Sequence, residues 1–496
     1  MSRDNPSFFL LKNLHIPFFC STFAPKLRNM DLKRLYFLGI GGIGMSALAR
    51  YFRAKGYDVA GYDRTPSMLT RELEEEGLSI IYDDGIEDFK LQILNLGFII
   101  SPSDTIVVRT PAVPEDNAIY TYLREEGYTI LKRSEILGIV TRQERALCVA
   151  GTHGKTTTST ILAHLLHESH VGTNAFLGGI SNNYRSNLLL DAKSELVVVE
   201  ADEYDRSFHH LTPYMSVITS IDPDHLDIYD TASAYQEGFN VYASLVTDTI
   251  VLKQGYRLDS SRLKAKVYTY SGEWTSETRP DFFATNIVVN DGQITFDLVG
   301  PKVNGEDLSV KNLTLGVPVW VNIENSVAAM SLARLIGVTA DEIRTGLASY
   351  SGVYRRFNIH INTPRIAYVD DYAHHPTELE ASISSIRKLY PERYIIGVFQ
   401  PHLYTRTRDF AEGFKQVLSE VDELVLLPIY PARELPIPGI TSEILGGKVV
   451  EKKDLVNYLR QRIAKLSCPV AVLTLGAGDI DRLVDDVTSM LHDVEH

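Results

Sequence analysis

Cysteine is nearly missing from this chain: three residues in 496, Cys20, Cys148 and Cys468, far apart and odd in number. That excludes a disulfide scaffold and a Cys-based zinc site, and it makes the reducing cytoplasm the expected location. Long apolar runs are lacking too. The apolar stretch from Phe8 to Phe23 is interrupted by Lys12, His15 and Pro17, so it is too short and too polar to span a bilayer and lacks a clean leader pattern. No membrane partner is expected. Positive charge is in deficit, with 49 Lys and Arg against 63 Asp and Glu and a formal net charge of −14. This argues against a nucleic-acid partner but leaves room for a local basic pocket. There is no internal repeat and no low-complexity tract. Residues 1–30 precede the first credible strand and read as a disordered extension.

Strand-like runs alternate with amphipathic helical stretches over the rest of the chain, which predicts α/β domains with largely parallel sheets. The length calls for two or three domains. The first, 31–142, opens with a strand over Leu35 to Leu38, the glycine turn Gly39-Ile-Gly-Gly-Ile-Gly44, a helix from Met45 to Lys55, and a strand from Asp58 to Tyr62 ending at Asp63. A G-x-G-x-x-G turn between strand and helix, with an acid about 20 residues on, is the pattern of a Rossmann-like dinucleotide fold. Gly39, Gly41, Gly42, Gly44 and Asp63 are its candidate ligand residues.

The second unit, 143–352, carries Val149-Ala-Gly-Thr-His-Gly-Lys-Thr-Thr-Thr158 after an apolar run. A turn ending in Gly154-Lys155-Thr156 suits a nucleotide phosphate: backbone N–H groups face the oxygens, Lys155 adds a point charge and the Thr156 hydroxyl can ligate Mg²⁺. The general P-loop pattern has a glycine where this chain has Val149. Gly151, Thr152, His153, Gly154, Lys155, Thr156 and Thr157 are the expected ATP contacts. Acidic clusters follow two later apolar runs, at Glu200-Ala-Asp-Glu-Tyr-Asp205 and Asp222-Pro-Asp-His-Leu-Asp227. Hard Mg²⁺ takes oxygen ligands, so Thr156 and Glu200 are candidates for one ion, and His225 could help hold a second. Asp202, Asp205, Asp222 and Asp227, taken singly, serve equally well as helix caps. A polar, β-rich insertion runs from about Asp281 to Pro318, and a helix from Asn322 to Leu335 follows it. The third unit, 353–496, has strands at Ile366 to Val369, Ile395 to Phe399, Leu424 to Leu427 and Val470 to Leu475, with polar clusters beyond their carboxyl ends.

Eight motifs stand in order: GIGGIGM at 39–45, GTHGKTTT at 151–158, EADEYD at 200–205, DPDHLDIY at 222–229, GVYRRF at 352–357, DDYAHHPTE at 370–378, FQPHLYTRT at 399–407 and GAGDI at 476–480. Together they resemble the Mur ligases, and among them the alanine-adding members, over nearly the whole chain from residue 31. The resemblance implies a Rossmann-like N-terminal domain for the UDP-sugar, a central P-loop ATPase domain and a Rossmann-like C-terminal domain for the amino acid. It implies that ATP, with Mg²⁺, drives the joining of L-alanine to the carboxylate of UDP-N-acetylmuramate through an acyl phosphate, by a monomer or homodimer. Lys155, Glu200 and His225 are then catalytic. Asn322 and Asn325 lie near adenine, Asp371 on the ribose, and Arg355 or Arg356 on the phosphates; for Arg355 an ordinary ion pair at a domain hinge is the alternative. Tyr372, His374, His402 and Arg406 match positions that serve the amino acid, although His402 could equally be a structural histidine. The chain departs from the family at Leu403, often an arginine whose contact Arg408 could supply, at Val321, often a histidine, and in lacking a lysine between His225 and Lys253.

Overall fold

The computed structural model describes residues 32–95, 100–223, 226–275, 277–290, 292–432 and 434–495. The extension at 1–30 and the candidate ligand His225 lie outside the described residues. The chain divides into two compact units, one of residues up to 45 with 52–132, the other of 46–51 with everything from 133 on.

The first unit is a five-stranded parallel sheet. Its strands run in the order Ser79–Ile81, Asp58–Tyr62, Arg34–Leu38, Thr105–Arg109, Thr129–Lys132. Each strand is short and apolar, and Tyr36, Leu38, Ala60, Tyr62 and Val107 pack with Ile119 and Leu123 from a covering helix. The first strand ends where Gly39 takes φ +85°, a left-handed turn that glycine adopts without steric cost, and the helix Ile43–Ala54 follows. The order is that of a Rossmann-like sheet, as predicted.

Among the described residues the second unit holds two large sheets, of ten and six strands, and a two-stranded one, Lys302–Val303 with Glu306–Asp307. In the ten-stranded one, Arg145–Ala150 lies between Pro213–Ile218 and Leu196–Ala201, all parallel, so three successive loops emerge at one edge. The central strand is buried from Ala146 to Ala150, and burial pushes the Cys148 thiol up to about 12, which leaves it un-ionised. The predicted β-rich insertion extends this sheet: Phe282–Asn290 joins parallel to Lys266–Glu273, and Gln293–Val299 and Val310–Thr314 follow antiparallel. The helix Trp320–Ile336, buried on most of its faces, packs on the helix Lys155–His167 and ends at Gly337, φ +111°. The third sheet is six-stranded, with Ile366–Asp371 parallel to Val470–Leu475 and Tyr394–Phe399 beyond it. The helix Arg133–Gln143 falls with this second unit. Among the described residues no helix is long and apolar enough to cross a membrane.

Candidate active site

A cleft of about 480 Å³ opens within the second unit, where the loops of the ten-stranded sheet face those of the six-stranded one. One wall is the turn after the strand Arg145–Ala150. Gly151 and Gly154 have φ +138° and +80°, and a methyl on Gly154 would come within 2.8 Å of Asn325 Oδ1. The loop is held from behind: His153 N–H donates to Ser220 Oγ at 2.9 Å and Thr219 Oγ1 donates to His153 O at 2.5 Å. No side chain caps the helix that starts at Lys155, so its first-turn N–H groups face the cleft with the positive end of the helix dipole. That is an anion site.

Lys155 is turned back onto the loop. Its ammonium donates to Gly151 O at 2.6 Å, to Thr152 O at 3.3 Å and to Glu203 Oε2 at 2.6 Å. Glu203 is 1 % exposed, and burial raises its carboxyl against the opposing pull of Lys155. Thr156 and Glu200 line the same cleft, and the Thr156 hydroxyl beside it, like the charge of Lys155, pulls the Glu200 carboxyl down against its burial. Glu200 Oε2 is closed off from solvent and has no hydrogen-bond partner, and burial raises this carboxyl too. Gly178, on the strand Asn174–Ser181, makes the room: a methyl there would overlap Glu200 Oε2 and come within 3.0 Å of Thr156 Oγ1. Among the described residues no three His, Cys, Asp or Glu side chains form a metal cage. A shielded carboxylate oxygen beside a hydroxyl is nonetheless the sparse, hard donor set that Mg²⁺ accepts when phosphates and water complete it.

The opposite wall combines apolar and amide groups. Val317, Val319 and Val321 line it with Asn322 and Asn325, both 7 % exposed. Asn325 donates to Asn322 Oδ1 at 3.1 Å and Asn322 to Val317 O at 3.2 Å, which fixes both amides in place. The six-stranded sheet brings Asp371, which accepts a bond from the Ser382 hydroxyl, and the helix Pro376–Leu389 after it brings Thr377 and Glu378.

The two arginines of the linking segment part company. Arg356 lines the cleft; burial raises the carboxyls of Glu200 and Asp371 and the charge of Arg356 only opposes it, while at Glu378 that charge joins His374 in outweighing burial and holding the carboxyl low. Arg355, with φ +60°, points away: it donates to Gly476 O and Gly478 O and lies 3.6 Å from Asp370. Its contact with Asp370 is an ordinary ion pair. Burial dominates at Asp370 and lifts its carboxyl to about 6 even with Arg355 beside it.

Beside the cleft, the candidate amino-acid residues converge. The rings of Tyr372 and His374 lie 5.2 Å apart, His374 and His402 6.1 Å, and His402 stacks on Tyr430 at 5.7 Å. His374 Nδ1 faces Tyr372 O at 3.0 Å and Glu378 Oε2 at 3.3 Å. Burial lowers its pKa; Glu378 opposes this, and the charges of Arg406 and Arg356 add to the lowering. Arg406 Nη1 is buried and makes no hydrogen bond. Glu378 joins this group to the cleft by accepting the His374 N–H at 2.9 Å and the His375 N–H at 3.3 Å. Leu403 has φ +70°, and the exposed Arg408 pairs with Asp409 at 2.7 Å.

Other sequence candidates lie elsewhere. Asp202 pairs with Arg133 at 3.3 Å and Asp222 accepts from Tyr256 at 2.7 Å, so both have structural partners. In the first unit Asp63 accepts the Gly41 N–H at 2.8 Å, closing the glycine turn on itself, with Gly39 N–H bonded to Tyr62 O at 2.7 Å. Gly42 N–H bonds back to Gly39 O at 3.3 Å, and Gly44 lies in the first turn of the following helix. Sequence reasoning passed over Glu203, Glu378, Ser382 and Gly178. The two glutamates stood inside quoted motifs, three residues after Glu200 and four after His374; nothing in the local sequence marks Ser382 or Gly178.

Comparison with known proteins agrees along the chain. Residues 34–145 match the Mur ligase family catalytic domain, 149–333 the Mur ligase middle domain, and 355–478 the Mur ligase glutamate ligase domain. UDP-N-acetylmuramate--L-alanine ligase of Porphyromonas gingivalis is 52 % identical, covering 93 % of this chain and 99 % of that one. The protein of the same name from Flavobacterium johnsoniae is 43 % identical with the same coverage. The crystal structure of UDP-N-acetylmuramate-alanine ligase from Thermotoga maritima superposes with a TM-score of 0.73 at 26 % identity, covering 93 % of this chain and 99 % of that one.

Proposed function

Because the chain belongs to the Mur ligase family, we propose that it joins L-alanine to the carboxylate of UDP-N-acetylmuramate, consuming ATP and releasing ADP and phosphate in peptidoglycan precursor synthesis. The observation that carries this reading is the 52 % identity to a ligase of that name over nearly both full lengths. The carboxylate attacks the ATP γ-phosphoryl group, the alanine amine attacks the resulting acyl phosphate, and phosphate departs. Two anions must be brought together in the first step, so the site has to supply positive charge.

Lys155 and the first-turn N–H groups of its helix would take the phosphates, and Arg356 would approach them from the other wall. Asn322 and Asn325, fixed against a valine-lined wall, would read adenine, and Asp371 the ribose. Mg²⁺ would be held by Thr156 and Glu200, a fit supported by the shielded, unpartnered Glu200 Oε2 beside the Thr156 hydroxyl. When bound it would neutralise charge on the phosphates. His225, on its motif alone, would serve a second ion. Tyr372, His374, His402 and Arg406 would receive the alanine, and Gly39, Gly41, Gly42, Gly44 and Asp63 the UDP-sugar. We divide these roles among domains at 31–142, 143–352 and 353–496. The cytoplasm is the compartment this chemistry requires, in keeping with free thiols at Cys148 and Cys468.

Incubating the protein with UDP-N-acetylmuramate, ATP, Mg²⁺ and each amino acid in turn, with products identified by mass spectrometry, tests the reading. The alanyl product and stoichiometric ADP are expected. Preferred ligation of D-glutamate or of a whole tripeptide would overturn the acceptor, and absence of ADP would overturn the ATP chemistry.

A further inference from the structure

The phosphate-loop lysine has a counter-ion that the reaction itself does not call for. Glu203 Oε2 sits 2.6 Å from Lys155 Nζ, and the two side chains are 1 % and 13 % exposed. The backbone of Glu203 is pinned, its carbonyl accepting the hydroxyl of the fully buried Tyr229 at 2.6 Å. Two carbonyls of the loop, Gly151 O and Thr152 O, complete the cage around the ammonium. A lysine held this way is ordered and turned toward its own loop. We infer that Glu203 is a positioning residue that restrains Lys155 in the nucleotide-free enzyme, so that an incoming triphosphate competes with the Glu203 carboxylate for the same ammonium and binds the less tightly for it.

This rests on Lys155 as the phosphate ligand. The two anions cannot both have the ammonium on equal terms, and the buried one is already at charge-assisted hydrogen-bond distance. A charge-assisted bond must be given up when phosphate takes the ammonium, so removing the competing charge while keeping the side chain's shape should tighten nucleotide binding by on the order of tenfold. A bond that only shapes the loop would act the other way, since loosening the loop weakens binding.

The test is calorimetric titration of the full chain with ADP and with a non-hydrolysable ATP analogue, on wild type, Glu203→Gln, Glu203→Asp and Lys155→Met. Glu203→Gln should bind both nucleotides about tenfold more tightly and show a lower KM for ATP with that for alanine unchanged. Its melting temperature without nucleotide should fall, because Lys155 loses its partner, whereas the rise on adding nucleotide should exceed that of wild type. Glu203→Asp, with the charge one methylene further back, should fall between the two and serves if the glutamine variant does not fold. Lys155→Met should bind nucleotide more weakly than wild type. Unchanged or weaker binding by both Glu203 variants, with Lys155→Met weakened, would overturn the restraint and leave the phosphate ligand standing. Wild-type affinity in Lys155→Met would overturn both.

Discussion

Charge taken out of water is costly unless it is matched, and the acids around the cleft differ in how they are matched. Glu203 has Lys155, Asp371 has the Ser382 hydroxyl and the charge of Arg356, and one oxygen of Glu200 has nothing. The unmatched oxygen is the one that the proposed Mg²⁺ would match. Lys155→Ala and Glu200→Ala should therefore each lower turnover by on the order of 10² to 10³ with the fold intact, since each removes compensation for the transferred phosphoryl group. Steady-state phosphate release together with circular dichroism checks this, and near-normal release by either variant would exclude that residue from the chemistry. Asp370 poses a different case. Its folded-state pKa, about 6, is raised above the usual carboxylate value of 3.8, so the folded protein holds the proton more tightly than the unfolded chain does. The stability this contributes is complete below the unfolded pKa and is lost as pH rises through the folded one. Between pH 4 and 6 wild type should lose roughly 2 kcal/mol relative to Asp370→Asn, whose side chain does not titrate. Melting curves of the pair across that window give the answer, and a difference independent of pH would contradict the assignment.

Strands, turns and helices were largely legible before any coordinates, because period and punctuation are local. The strand ending at Leu38, the glycine turn, the helix starting at Lys155 and the strand Val470–Leu475 stand where apolar runs and glycines put them. What local sequence does not carry is which side chain of an element faces a distant partner. Arg355 and Arg356 are neighbours of identical chemistry, yet a backbone at φ +60° turns one toward the 476–478 loop and leaves the other on the cleft. Gly178 is the sharper example. On a strand it reads as a weak position, but it lies against Glu200 and Thr156, which come from two other elements. Adding a methyl there should push the Glu200 carboxylate off the Thr156 hydroxyl while leaving the strand's ladder intact. Gly178→Ala should accordingly reduce turnover by about 10²-fold or more, as loss of one charge-stabilising contact does, and shift the Mg²⁺ dependence to higher concentration. An unaltered Mg²⁺ titration in a folded Gly178→Ala protein would show that Glu200 does not hold the ion.

Taken whole, the chain concentrates its energy chemistry and its acceptor choice in one unit but on different sheets. The ten-stranded sheet supplies Lys155, Glu200, Asn322 and Asn325, while the six-stranded sheet supplies Asp371 to the cleft and Tyr372, His374, His402 and Arg406 beside it. Glu378 belongs to both groups through its bonds to the His374 and His375 N–H groups. Selectivity among amino acids should then be separable from ATP use. The pocket we propose between two histidines, a tyrosine and an arginine would, in taking alanine's single methyl, reject larger side chains by steric overlap. It distinguishes alanine from glycine only by the burial of that methyl, about 1 to 3 kcal/mol. Competition for UDP-N-acetylmuramate should thus favour L-alanine strongly over L-valine and D-glutamate, and by roughly 10- to 200-fold over glycine, with L-serine also a weak competitor. His374→Ala should raise the KM for alanine more than that for ATP, because the ring touches the acceptor group rather than the phosphate loop. Equal increases in the two constants would place His374 in the shared framework of the cleft, and a variant that accepted L-valine as readily as L-alanine would show that His374 walls the pocket sterically.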